Sequence, residues 1–140
     1  MKLCTNNKKV SLASVEELES PQFKDFMTKL NNFASERGLR QFTNWSKVWE
    51  YPWLWYNGLM DLKWRETKLL DLGSELSSMP WYLASLGAEA VLTERSHEWI
   101  PIWTSIKQKY NQNVSWQIVS DENLPFSDES FDIVTSFSVI

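Results

Sequence analysis

Apolar and polar positions change their rhythm about halfway along this chain. As far as about residue 66 the apolar positions recur at helical spacing. Ser14-Val15-Glu16-Glu17 has the spacing of a capping box, so a short helix is expected there. Ser20-Pro21 offers a second start, with serine as N-cap and proline in the first helical position. Phe23, Phe26, Met27, Leu30 and Phe33 then fall on one helical face, and Gly38 supplies the stop. The Trp-rich stretch from Asn44 to Leu59 predicts one or two short helices broken at Pro52. Residues 1–13 carry no such pattern and read as a mobile tail, which leaves 14–66 as a helical N-terminal extension.

From Lys68 the pattern alternates between strand and helix. Lys68–Leu72 is a buried-strand candidate, followed by a helix that Ser78 could cap, with Trp81, Leu83 and Leu86 facing inward and Gly87 ending it. Ala90–Thr93 predicts a second strand. Ser96 caps a further helix whose inner face is Trp99, Trp103, Ile106 and Tyr110. Val114, Trp116 and Ile118 alternate with polar residues as a third strand, and Phe131–Phe137 makes a fourth after the turn-rich DENLPFSDES. Strand–helix–strand–helix–strand is the signature of an α/β fold: a parallel sheet with right-handed crossovers.

Composition narrows the function classes. Hydrophobic residues make up 43% and charged residues 23% of the 140, as in an ordinary globular protein. A net charge of -4 argues against a nucleic-acid surface, which needs clustered Lys and Arg. No apolar run approaches the roughly 18 residues of a membrane span, and the N-terminus has no apolar segment of the secretory type. Cys4 is the single cysteine, so no intramolecular disulfide is possible and a reducing cytoplasm is the expected location. His97 is the single histidine, which effectively excludes Ser-His-Asp catalysis and multi-histidine metal sites. Its position in a helix's first turn reads as solvent-facing. Asp128 and Glu129 read as a turn and not as an acid–base pair. Tryptophan is the anomaly: of nine, Trp45, Trp49, Trp53, Trp55 and Trp64 lie close together, joined by Phe42, Tyr51 and Tyr56. They could line a cage for a ligand cation, but packing of a small helical cap is the simpler reading.

The chemistry concentrates in KLLDLGSELSS, Lys68 to Ser78. An apolar run that stops at a glycine turn and opens a helix presents backbone N–H groups to a ligand, and an acid ending the next strand commonly holds ribose hydroxyls. Val91-Leu92-Thr93-Glu94 follows at the right distance. The leading reading is a nucleoside-containing cofactor.

LLDLGSELSS, the strand end at Glu94 and DENLPFSDESFDIVTSFSVI together resemble the class I S-adenosylmethionine-dependent methyltransferases of the type 11 group, over about Lys68 to Ile140. The last segment is the most specific. The resemblance implies a Rossmann-like sheet of order 3-2-1-4, with the ligand where the strand order reverses between the first and fourth strands. It implies S-adenosyl-L-methionine as cofactor, held by Asp71, Gly73, Ser74, Glu75, Glu94, Asp121, Glu122 and Ser136. Gly73 would let the chain turn tightly and approach the ligand. Asp71 would anchor the loop's N–H groups or, through water, the ligand's amino group. Glu94 would accept from both ribose hydroxyls, since a carboxylate is acceptor-only and takes two donors. Asp121 would receive the adenine amine beside the Glu122 and Asn123 backbone, and Ser136 would lie under the methionine part.

Two departures bear on the loop. The family's second and third glycines are Glu75 and Ser77 in this chain; Glu75 would either crowd the ligand or hold its ammonium. The family's sheet also continues beyond a fourth strand, so residues 67–140 read as the N-terminal half of a methyltransferase domain, truncated and inactive alone. The expected function is cofactor binding within a methyltransferase of unknown acceptor. The alternative is a non-catalytic, degenerate domain serving as an interaction module. A nicotinamide-dependent oxidoreductase would want G-x-G-x-x-G, and Gly73 has no partner glycines. No nucleic acid or membrane partner is expected. Around the fourth strand, Ile133, Val134, Phe137, Val139 and Ile140 would lose part of their cover and only Asp132 is charged, so the chain is expected to self-associate through this edge or to leave its C-terminal residues disordered.

Overall fold

The structure, a computed structural model, describes residues 12–120 and 123–137. The tail expected over residues 1–13 falls mostly outside them, as do Asp121, Glu122, Val139 and Ile140 entirely. The chain divides into two compact units, one holding Phe42–Asp61 and the residues up to Thr28, the other Lys29–Gln41 and the chain from Leu62.

In the first unit, α1 (Val15–Glu19) begins at Ser14, whose hydroxyl accepts from the Glu17 N–H. α2 (Pro21–Arg37) begins as expected: Ser20 Oγ accepts from the Phe23 N–H, and Phe23, Phe26 and Met27 are buried. α3 (Trp45–Leu54) is capped by Asn44, and Pro52 lies inside it. The expected break at Pro52 does not occur. The proline removes one donor, but its ring is fully buried, and Trp49 stacks on Trp53 at 5.5 Å across the turn that contains it. The helix instead widens into a π-turn over Trp55–Leu59, closed by Met60 N–H to the Trp55 carbonyl at 2.8 Å. The aromatic cluster packs on itself, with Phe26 stacked on Trp55 at 5.4 Å and Trp49 Nε1 donating to Glu17 Oε2 at 2.6 Å.

The second unit holds a four-stranded sheet of β1 (Lys68–Leu72), β2 (Glu89–Glu94), β3 (Val114–Ile118) and β4 (Ile133–Ser136), in order β3-β2-β1-β4. Every pairing is parallel. The α/β class and the 3-2-1-4 order expected from sequence are therefore present. β1 and β2 lie at the centre and are apolar through their middles, as strands covered on both faces require: Leu69, Leu70, Ala90, Val91 and Leu92 are all buried. β4 is shorter than expected, and Val134 on it is 58% exposed.

Two helices connect the strands. α4 (Met79–Ser85) buries Trp81 and Leu83, and Gly87 follows it at φ 120°. Two expectations for this helix fail. Leu86 is 36% exposed, because the helix has ended before it. Ser78 does not cap: its backbone is already helical at φ -80°, ψ -24°, so the side chain lacks the extended geometry that turns an N-cap oxygen back onto the first turn. α5 (Ile100–Tyr110) is preceded by a 3₁₀ turn, His97–Trp99, and it is this turn that Ser96 caps. Trp103 and Ile106 are its buried face. The last part of α2 joins this unit through Arg37. Its guanidinium lies between the rings of Phe33 and Tyr110, 3.6 and 4.0 Å from their centroids, while the Tyr110 hydroxyl donates to the Glu36 carbonyl at 2.8 Å.

Candidate cofactor site

The C-terminal ends of β1 and β2 carry the candidate loop. Leu72 is followed by Gly73 at φ 66°, a left-handed conformation that suits glycine. Glu75 is also left-handed, at φ 41°, which costs a non-glycine residue on the order of 1 kcal/mol. The neighbours hold it there. Its N–H donates to Glu94 Oε1 at 3.1 Å, and its carbonyl accepts from the buried Trp103 indole at 2.8 Å. Its carboxylate pairs with Arg40 at 3.0 Å. Ser74, buried beside it, donates its N–H to the Thr93 carbonyl at 3.0 Å, and Ser77 N–H closes the turn on the Ser74 carbonyl at 2.8 Å.

Glu94, half-buried at the end of β2, ties the two loops together. Its Oε1 takes the Glu75 N–H and its Oε2 takes the Arg95 N–H, both at 3.1 Å. A carboxylate has about four acceptor positions, so two remain after these bonds.

Asp71 lies beneath the loop and is 1% exposed. Its Oδ1 accepts from Thr135 Oγ1 on β4 at 2.6 Å, and its backbone carbonyl accepts from the hydroxyls of Thr93 and Ser74 at 2.9 and 3.1 Å. Its carboxylate thus serves the joint between β1 and β4, and its carbonyl serves the loop. Burial pushes its pKa from 3.8 up to about 6; the hydroxyls of Thr135 and Ser74 pull the other way, and the charge of Glu94 adds to the rise.

Asp71, Gly73, Ser74, Glu75 and Glu94 therefore come together as one group. Ser136 stands opposite Leu72 in the β1–β4 register, so it reaches the same end of the sheet, and it is exposed. Asp121 and Glu122 lie outside the described residues; Ser120 and Asn123, which flank them, are bridged. Four further residues belong to this end of the sheet and were not anticipated there: Arg40, Thr93, Trp103 and Thr135. Thr93 carried a signal, as the one hydroxyl in β2, and Thr135 a weaker one, as a hydroxyl directly after Ile133 and Val134. Arg40 and Trp103 carried none, being far from the loop in sequence.

A family model described as a methyltransferase domain matches residues 70–140, half of the chain. The chain belongs to the methyltransferase-domain family. The class I, type 11 resemblance seen in LLDLGSELSS and the LPF segment is thereby established, and the end of β1 from Leu70, the candidate loop and Glu94 fall within the matched stretch.

Solved structures place the same fold in other proteins. The MccD protein is 21% identical, with a TM-score of 0.51, over 61% of this chain and 39% of its own. The PH0226 protein from Pyrococcus horikoshii is 23% identical, with a TM-score of 0.50, over 65% of this chain and 43% of its own. A more distant likeness, at 24% identity and a TM-score of 0.43 over 49% of this chain and 17% of its own, is to a Pyrococcus abyssi tRNA (uracil-54, C5)-methyltransferase solved with S-adenosyl-L-homocysteine. This methyltransferase domain spans less than half the length of each. No curated protein matches the chain. Among the described residues, no helix is long and apolar enough to cross a membrane.

Proposed function

We propose that the chain binds S-adenosyl-L-methionine at the loop after β1 and contributes this site to methyl transfer. The observation that carries the reading is Glu94, which is held by one N–H on each oxygen and keeps two acceptor positions for a ligand. The residues fit such a ligand. Gly73 is half-exposed and left-handed, which lets the backbone approach closely. Glu94 accepts the two ribose hydroxyls. Ser136 lies at the same sheet end, towards the methionine part.

When bound, the cofactor supplies an electrophilic methyl group on a sulfonium. The chain's own contribution is positional: the loop is fixed before binding by Glu94, Trp103 and Thr93, so little ordering is left to do. The single cysteine supports a reducing, cytoplasmic setting. The 58% exposure of Val134 supports self-association along β4, which sedimentation velocity at several concentrations reads directly.

Calorimetry with S-adenosylmethionine on the chain and on Glu94→Ala tests the reading. The variant loses two charge-assisted bonds to ligand, on the order of 2–4 kcal/mol. Equal affinities would remove Glu94 from the site. No binding to either would favour the interaction-module alternative.

A further inference from the structure

The helical unit carries apolar and aromatic side chains at its surface that the cofactor site does not use. We propose that the face built by α1 and α3 docks a basic amphipathic helix of a partner protein. This docking lies within one unit and is independent of whether the loop after β1 binds a cofactor.

Three observations carry it. The first is what α1 leaves in water. The helix packs on α3, and Glu17 Oε2 on it accepts from Trp49 Nε1 at 2.6 Å, yet none of its five residues is buried. Val15 is 75% exposed, and Leu12, three positions before it, is 89% exposed. A helix this short depends on packing rather than on propensity, and here only one side of it is packed.

The second is the aromatic surface of α3. Trp49 and Trp53 stack at 5.5 Å, and each is only half-buried. Tryptophan is a residue type that anchors interfaces, and its ring face attracts an ammonium or a guanidinium.

The third is charge, and it selects the occupant. Among the described residues of this unit Glu16, Glu17, Glu19, Asp25, Glu50 and Asp61 are acidic, whereas Lys24 and Lys47 alone are basic. Both lysines already pair inside the unit, with Glu19 at 2.5 Å and Glu50 at 2.7 Å. A surface with this surplus repels anionic lipid and nucleic acid. A second copy would set the same acids against themselves. A helix with leucine-like residues along one side and Lys or Arg beside them answers both features. Its apolar side lies on Val15 and the indoles, and its cations meet the acids that flank them, Glu16 and Glu50.

The test titrates the full chain with an amphipathic leucine–lysine peptide, and with the same peptide carrying glutamate in place of lysine. Calorimetry gives the affinity and backbone-amide NMR gives the place. The leucine–lysine peptide is expected to bind saturably, to shift the amides of Val15–Glu19 and of residues 49–53, and to weaken as salt is added. The glutamate peptide is expected not to bind. Glu16→Lys and Val15→Ser change exposed positions, so the urea midpoint should hold, while each weakens the leucine–lysine peptide roughly fivefold or more. Equal binding of both peptides would mean apolar adhesion without charge recognition and overturn the proposal. So would shifts confined to other residues, an affinity that neither variant changes, or no binding of the leucine–lysine peptide. Tighter binding to phosphatidylserine vesicles than to the peptide would make the face a lipid surface and overturn it as well.

Discussion

The Glu75 N–H donates to Glu94 Oε1 at 3.1 Å, joining the loop after β1 to the end of β2 across nineteen positions of sequence. This bond explains how a glycine-poor loop keeps its shape. Where three glycines would leave the backbone free to turn, a carboxylate on the next strand and an indole on α5 hold Glu75 in the left-handed region. The same carboxylate is the proposed ribose acceptor, so loop geometry and ligand recognition depend on one side chain.

The buried Asp71 sets a pH dependence whose sign follows from burial. Its folded pKa, about 6, lies above the ordinary 3.8. The protonated form is therefore favoured on folding, and the stability it gives is complete below about pH 3.8 and lost as pH rises to 6 and beyond. Asp71→Asn stays neutral and keeps an oxygen for the Thr135 hydroxyl. Between pH 4 and pH 7 the variant should gain roughly 2 kcal/mol relative to the wild type. Urea midpoints at pH 4, 5, 6 and 7 measure it. A difference that does not change with pH would mean that Asp71 is not buried as an ionisable group.

Trp103→Phe removes the donor to the Glu75 carbonyl and leaves a smaller ring in a fully buried place. Loss of the bond and incomplete filling together should cost about 2 kcal/mol. Amide exchange at Ser74–Leu76 should accelerate beyond the global change. A stability loss without that local acceleration would confine Trp103 to the core.

Gly87 sits at φ 120°, and a Cβ added there would lie 2.7 Å from Arg65 Cγ and 3.3 Å from its backbone Cα and N. The side chain can move aside, but the backbone contacts and the disfavoured φ remain. Gly87→Ala should lose about 2 kcal/mol, read from the urea midpoint. A loss within about 0.5 kcal/mol, the range of an ordinary surface substitution, would contradict the close approach of Gly87 to Arg65.

The central sheet was legible because KLLDL and EAVLTE are short apolar runs bounded by turn residues, and a strand buried on both faces has little other way to appear in a sequence. Gly73 and Glu94 were legible for the same reason: each ends such a run. Pro52 misled because its helix-breaking cost is a local rule, and ring packing around a buried proline outweighs it. Ser78 misled because capping depends on backbone angles that a serine's identity does not reveal. Arg40 and Trp103 reach Glu75 from 35 and 28 positions away, through α2's exit and α5's buried face, and no spacing rule encodes such meetings.

The most direct test of the central claim is a backbone-amide NMR titration of the chain with S-adenosylhomocysteine. The predicted result is saturable shifts at Gly73, Ser74, Glu75, Arg95 and Ser136, with the amides of Trp49–Leu59 unmoved. Shifts confined to that Trp-rich stretch, or no saturable shift anywhere, would contradict a cofactor site at the loop after β1.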